Sequence, residues 1–310
     1  MPATITEIVF LQAEVCATRS RAHDNQGSFM LNWNQLETDL DRYKEAFDTA
    51  SPFRHVIIEN FFDAEVAKAV EAGFELALAH KDHNAPKAHK DVLHKTGTPK
   101  WDLMTPAQVS ALEAVNSTRF TRYLEDLTGV KPIHADPDLN GGGLHSSKRG
   151  GYLNVHTDFN FHPRTGLHRR LNLIVYLNQE WNESRGGALE LWNDTVTSCE
   201  AKFYPKFNRA VLFETSEISF HGHPVPMACP EHVTRKSVAL YYYSDWPEGL
   251  EQRAKTNYIL TPSQKALLLT DLRAVMQSGA ATWEEAAAKL PDWQPIHVKR
   301  MFRNLDRALG

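Results

Sequence analysis

Metal-competent side chains are the most informative residues in this chain. It carries 15 histidines in 310 residues, and a His-x-Asp pair occurs at His80–Asp82, His89–Asp91, His134–Asp136 and His156–Asp158. In extended chain such a pair places an imidazole and a carboxylate on one face, because side chains alternate with period two. One further histidine completes a 2-His-1-carboxylate set, which holds a metal such as Fe(II) on one side and leaves the opposite side open.

Context separates the four pairs. The first two lie in a polar, Lys- and His-rich segment, His80 to Trp101, which has no strand pattern and reads as a solvated connection rather than a loop over an opening. His134–Asp136 runs into Pro137 and Asp138, a turn signal. His156-Thr157-Asp158 instead ends a strand begun at Tyr152 and precedes a second strand, Leu171–Leu177. A third ligand is available in Ser219-Phe220-His221-Gly222-His223, where His221 and His223 share strand parity. Pro224 favours His221, since the residue before a proline is already leaving regular structure. Farther on, Arg235, Ser237, Ala239 and Tyr241 share one face of the strand Arg235–Tyr243. A guanidinium aimed into a core needs an anion, and its planar fork suits a carboxylate.

The elements that must position these groups follow from periodicity. Residues 1–30 lack a pattern and read as an irregular arm. Leu36, Leu40, Tyr43 and Phe47 are spaced for a helix ended by Ser51-Pro52; Phe53–Phe62 reads as a strand, and Asp63 caps a helix to about Ala79. Thr105-Pro106-Ala107-Gln108 is a capping box, and a second helix runs from Ser117 to Thr128 before Gly129. Between Ile133 and Trp246 short strands alternate with Gly-rich turns: Tyr152–Asp158, Leu171–Leu177, Ala188–Trp192, Arg209–Glu214 and Lys236–Ser244, separated at Gly141–Gly143, Gly150-Gly151 and Gly186-Gly187. Helices return at the boxes Thr261–Gln264 and Thr282–Glu285, and a last amphipathic stretch sets Ile296, Phe302, Leu305 and Leu309 on one face. The expected division is an arm and helix over 1–50, a β core with supporting helices over 51–246, and a helical extension over 247–310.

Composition narrows the classes. A net charge of −4 gives no global basic field for nucleic acid or anionic membrane, and no apolar run reaches the length of a membrane span. Cys16, Cys199 and Cys229 are scattered and odd in number, and the polar start with Glu7 lacks a secretory pattern; a reduced, cytoplasmic setting is the expectation.

Taken together, His156-Thr157-Asp158, Ser219-Phe220-His221-Gly222 and Arg235-Lys236-Ser237-Val238-Ala239-Leu240-Tyr241-Tyr242-Tyr243 resemble the iron(II)/2-oxoglutarate-dependent oxygenases, in particular the prolyl-4-hydroxylase-like group. The resemblance spans residues 130–245; Gly141-Gly142-Gly143-Leu144-His145, Leu171–Asn178 and Gly186–Leu191 stand in the family's order. It implies an α+β fold with a mainly β core, a double-stranded β-helix (a cupin-like jelly roll) flanked by N-terminal helices and a helical C-terminal extension. It implies Fe(II) on His156, Asp158 and His221, and 2-oxoglutarate on Arg235 aided by Ser237 and Tyr176. With O2 as oxidant and ascorbate as reductant in vitro, the implied reaction hydroxylates an unactivated C–H bond and releases succinate and CO2. Asp158 favours hydroxylation, since the related halogenases commonly carry a small residue at that position.

For the substrate, expected to be an amino-acid-like small molecule or a peptidyl, prolyl-type side chain, the residues indicate Asn154, Asn160 and His162 around the strand end. Arg170 shares parity with Asn172, Ile174 and Tyr176. Trp181, Trp192 and Trp246 read as packing. The alternatives are a non-catalytic jelly-roll binding module and a zinc-dependent hydrolase, neither of which needs the Arg235 strand. The C-terminal helices suggest either a homodimer contact or a cover for the outer sheet.

Overall fold

The computed structural model describes residues 30–79 and 91–309. The arm over 1–29, the pair His80–Asp82, His89 and the Leu309 side chain lie outside the described residues. The chain opens with two short helices, α1 (Trp33–Thr38) and α2 (Leu40–Thr49), which bury Trp33, Leu36, Tyr43 and Phe47. Strand β1 (His55–Ile58) follows and is shorter than the sequence pattern suggests. Asp63 then caps α3 (Ala64–Ala72) by accepting from the Glu65 and Val66 amides, and α4 (Phe74–Leu78) continues beyond Gly73. Gly73, at the break, admits a close neighbour: a Cβ there would meet Gln108 Nε2 at 2.7 Å and Thr105 Oγ1 at 2.8 Å. Those two residues form the reciprocal box that starts α5 (Pro106–Val115). Ser117 caps α6 (Thr118–Thr128), and Gly129 ends it with φ +72°.

The rest of the core is antiparallel sheet. Its strands are β2 (Val92–Thr98), β3 (Gly143–Thr157), β4 (His168–Tyr176), β5 (Leu189–Trp192), β6 (Cys199–Phe203), β7 (Arg209–Glu214), β8 (His221–His223), β9 (Arg235–Ser244) and β10 (Asn257–Tyr258). They pair in the order β1-β7-β4-β9-β3-β8-β5-β6, with β2 and β10 also on β3. The long β3 spans both halves: residues 143–147 pair with β9, while Leu153 and His156 pair with β8. This is the double-stranded β-helix.

Period two divides β4 and β9 between two environments. Leu171, Leu173, Val175, Val238, Leu240 and Tyr242 join Phe47, Val70, Leu112, Phe120 and Leu124 in one core under the N-terminal helices. The opposite faces carry Asn172, Ile174, Arg235, Ser237, Ala239 and Tyr241 into a cavity.

Three features depart from the sequence reading. The segment expected to be a solvated connection contains β2, which pairs along β3. Gly150-Gly151 does not end a strand; it lies within β3, where Gly150 takes φ +74° opposite a register shift. The tail is not helical throughout, because β10 joins β3 before α7 (Pro262–Gln277), α8 (Trp283–Lys289) and α9 (Pro295–Leu309). The last helix is not left bare: Val298 and Phe302 pack with Leu268, Leu272 and Ala286 in a separate core. Ile296, placed on that face by the sequence pattern, is 57% exposed.

Candidate functional site

At the end of β3 and on β8, His156, Asp158 and His221 bring three ligand atoms within 4.8 Å of one another. Each histidine is oriented by its own backbone. His156 Nδ1 donates to the Asn154 carbonyl at 2.7 Å, and His221 Nδ1 donates to the Ser219 carbonyl at 2.9 Å. A carbonyl only accepts, so the proton sits on Nδ1 and the Nε2 lone pair of both rings is left for a metal. The two Nε2 atoms stand 3.6 and 3.4 Å from the Asp158 carboxylate. Burial, then the charge of nearby His156, pushes the His221 pKa down to about 4, so the ring is neutral at ordinary pH. Two neutral imidazoles and one carboxylate on one side of an open cavity fit Fe(II).

Asp158 stays ionised although burial opposes its charge. The Arg169 guanidinium foremost outweighs that cost and holds the carboxyl well below the usual carboxylate range. Arg169 Nη2 donates to Asp158 Oδ2 at 2.9 Å and Asn172 Nδ2 donates to the same oxygen at 2.8 Å. The guanidinium lies 3.4 Å from the centre of the Tyr241 ring and 4.5 Å from that of Phe159, and it also donates to Asn172 Oδ1. Oδ2 is thereby fixed; it also lies nearest His221 Nε2, while Oδ1 lies nearest His156 Nε2.

The cavity beside the triad measures about 420 Å³ and is lined by His145, His223, Arg235, Ser237 and Tyr258 among others. Arg235 Nε donates to the Gly187 carbonyl at 2.7 Å and Nη2 to Tyr176 Oη at 3.1 Å. Among the described residues it meets no carboxylate within ion-pair distance, so a buried cation faces the cavity without a counter-charge. Gly187 permits this course: its φ is +70°, and a Cβ would come 3.1 Å from Arg235 Cδ and 2.8 Å from Met227 Sδ. Tyr176 is fully buried and is not itself among the cavity-lining residues; it reaches the pocket through Arg235. His145 and His223 also line the cavity, and burial foremost, then nearby cations, keeps both neutral. His223 is left outside the ligand cluster, two residues beyond His221 on β8.

None of the four residues expected near a substrate faces the cavity. β3 carries one extra residue between the pairs Leu153↔His223 and His156↔His221. This bulge reverses parity, so Leu153 lines the cavity and Asn154 turns away. The Asn154 amide donates to Asp91 Oδ1 at 2.9 Å and accepts from Gln264 Nε2 at 2.7 Å. A second bulge, between Arg169 and Leu171, does the same to β4: Arg169 points in, while Arg170 pairs outward with Glu214. Asn160 holds the chain near Arg253, accepting from its amide at 2.7 Å. His162 accepts the Arg164 and Thr165 amides on Nδ1, so its proton is on Nε2 and goes to Asp136. That occupancy leaves the Asp136, Asp138 and His162 cluster no imidazole lone pair for a metal. Trp181, Trp192 and Trp246 stay out of the cavity, as expected.

The residues missed are Lys95, Arg169, Asn172 and Tyr258. Asn172 and Tyr258 carried no motif, Arg169 stood one place from the residue parity favoured, and Lys95 lay in a segment read as loop.

Comparison with known proteins agrees with this geometry. The model of the 2OG-Fe(II) oxygenase superfamily matches residues 142–243. That stretch is thus similar to the 2-oxoglutarate/Fe(II)-dependent dioxygenases of this superfamily. Over 80 residues it is 34% identical to the mouse (Mus musculus) prolyl 3-hydroxylase OGFOD1, a match covering 24% of this chain and only 14% of that protein. Among solved structures, a prolyl 4-hydroxylase from Phytophthora capsici superposes with a TM-score of 0.52 at 20% identity, covering 89% of this chain and 91% of the other; it shares the fold. A Pseudomonas putida prolyl-4-hydroxylase aligns with a TM-score of 0.47 at 16% identity over 65% of this chain and 98% of its own.

Proposed function

We propose that this protein is an Fe(II)- and 2-oxoglutarate-dependent hydroxylase acting on an unactivated C–H bond of an amino-acid-like small molecule or a peptidyl, prolyl-type side chain, with release of succinate and CO2. The observation that carries the reading is the convergence of His156, Asp158 and His221 on a cavity that also holds Arg235 without a counter-charge. Fe(II) with 2-oxoglutarate and O2 supplies the oxidising chemistry when bound. The chain's part is to bind and to orient. His156 and His221 present neutral Nε2 atoms, and Asp158 presents a carboxylate held by Arg169 and Asn172. Arg235, steadied by Tyr176 and the Gly187 carbonyl, takes the distal carboxylate of 2-oxoglutarate, with the Ser237 hydroxyl on the same strand face.

A jelly-roll binding module or a zinc hydrolase leaves the buried Arg235 without a purpose, and no observation favours either. Residues 51–246 are proposed as the catalytic domain, with 247–310 as an extension that contributes β10. A cytoplasmic setting rests on free Cys199 and Cys229. A homodimer would have to use faces other than the one Val298 and Phe302 bury; a single species at 35.1 kDa in solution would exclude it.

The test is succinate production from 2-oxoglutarate with Fe(II), ascorbate and air. Wild type should release succinate without a prime substrate, His156→Ala should release none, and Arg235→Ala should need far more 2-oxoglutarate. No succinate, together with no visible band on anaerobic mixing of Fe(II) and 2-oxoglutarate, would refute the reading.

A further inference from the structure

The cavity carries more positive charge than the proposed metal and cosubstrate use. Its charged lining is Lys95, Arg169 and Arg235 against Asp158 alone. Arg169 is matched by Asp158, and a divalent metal by the two carboxylates of 2-oxoglutarate, which leaves Arg235 and Lys95 in excess. The proposed grip on the cosubstrate gives Arg235 a role without removing that excess, and Lys95 has no such role. Lys95 is half-buried at the cavity wall and has no hydrogen-bond or ion-pair partner among the described residues.

Register fixes where Lys95 stands. Lys95 pairs with Ser147, and Ser147 on its other side pairs with Arg235, so the three lie abreast on β2, β3 and β9. Residues directly opposite one another share a face. Lys95 and Arg235 therefore enter one cavity from positions about 10 Å apart, two strand spacings. Strand β2 pairs only with β3, which makes it an edge and sets Lys95 on the outer side of the cosubstrate position.

Resting on the oxygenase reading, we infer that the prime substrate bears an oxyanion, carboxylate or phosphate, bound by Lys95 while 2-oxoglutarate occupies Arg235. An ammonium is a point charge without the planar fork of arginine and serves either anion. Burial first, then the charge of Arg235, brings the Lys95 pKa down to about 8. An anion arriving with the substrate reduces the excess and anchors the molecule beside Lys95.

The experiment uses the full chain loaded with Mn(II), which is paramagnetic, and saturated with 2-oxoglutarate. Acetate and inorganic phosphate are the probes, read through the relaxation of the acetate 13C-methyl and the phosphate 31P nuclei. Wild type should shorten the relaxation time of at least one probe at least fivefold relative to chelator-stripped protein; which probe responds distinguishes carboxylate from phosphate. Lys95→Met should return it to the stripped value while still taking up Mn(II), and Lys95→Arg should retain most of the effect. Equal relaxation in wild type and Lys95→Met would overturn the inference. So would a wild type that relaxes neither probe once 2-oxoglutarate is saturating, because Lys95 would then serve the cosubstrate. Failure of the oxygenase reading looks different: free Mn(II) persists in the electron-spin spectrum, and both proposals fall.

Discussion

Replacing Arg169 by methionine tests what holds the metal-binding carboxylate in place. Arg169 is 1% exposed, and its guanidinium and the Asn172 amide share Asp158 Oδ2. Methionine keeps most of the contact with Tyr241 and Phe159 but removes the charge and three hydrogen bonds, one to Asp158 and two to Asn172. Breaking one side of a buried ion pair typically costs about 3–5 kcal/mol, because the remaining charge is stranded. The stacking on two aromatic rings adds about 1 kcal/mol. In chelator-stripped protein, so that no metal compensates, urea unfolding of Arg169→Met should fall by roughly 4 kcal/mol. The decisive comparison is with Asp158→Asn and the double variant. With no carboxylate left to strand, Arg169→Met should cost far less in the Asp158→Asn background, giving a coupling of at least about 2 kcal/mol. Additivity within about 0.5 kcal/mol would refute the idea that Arg169 acts through Asp158.

Other substitutions probe separate parts of the site. Gly222→Ala should abolish the Fe(II)/2-oxoglutarate visible band with the circular dichroism of the sheet retained, because a Cβ between the two β8 histidines would lie 2.8 Å from the Leu153 and Asn154 carbonyls; an unchanged band would show that β8 can shift without losing His221. Tyr176→Phe removes the hydroxyl bonded to Arg235; a lost bond to a charged group of about 1.5 kcal/mol predicts a KM for 2-oxoglutarate roughly tenfold higher with kcat little changed. A fall in kcat at constant KM would contradict the positioning role. For pH, burial lowers the pKa of His145, His168, His221 and His223 in the folded chain. A lowered histidine pKa means the unfolded chain takes up protons first, so metal-free protein should lose stability as pH falls from about 6.5 toward 4. A urea midpoint that stays flat or rises over that interval would count against neutral burial of these rings.

The part of the site legible in the sequence is the part governed by local rules. His156, Asp158 and His221 sit where strand ends and a following Gly-x-Pro turn put them, and Arg235, Ser237, Ala239 and Tyr241 share a face because β9 keeps period two along their stretch. Parity failed wherever one residue was inserted. The bulges before His156 and at Arg170 leave no mark in composition, yet they invert the roles of Leu153 and Asn154 and of Arg169 and Arg170. Strand β2 was missed for a different reason. Lys and Gly have weak strand character alone, and the segment is extended because β3 offers it an edge.

That division also separates chemistry from selection. The superfamily-matched stretch, residues 142–243, contains every proposed metal and cosubstrate ligand. Two walls of the cavity come from outside it. Strand β2 supplies Val92, Lys95 and Thr96, and the segment at β10 supplies Thr256 and Tyr258. Strand β10 pairs with β3 at His156 and Thr157, and the Tyr258 ring lies 5.3 Å from that of His156. Gln264, at the start of α7, bonds the Asn154 side chain, and the Asn154 carbonyl fixes the His156 ring. The C-terminal extension is thus fastened to the strand that carries His156 and leads into Asp158, and it forms a face of the pocket. A substrate that fits this chain must meet residues that the shared motif does not contain, so neighbours in fold with other segments at these two edges need not share its substrate.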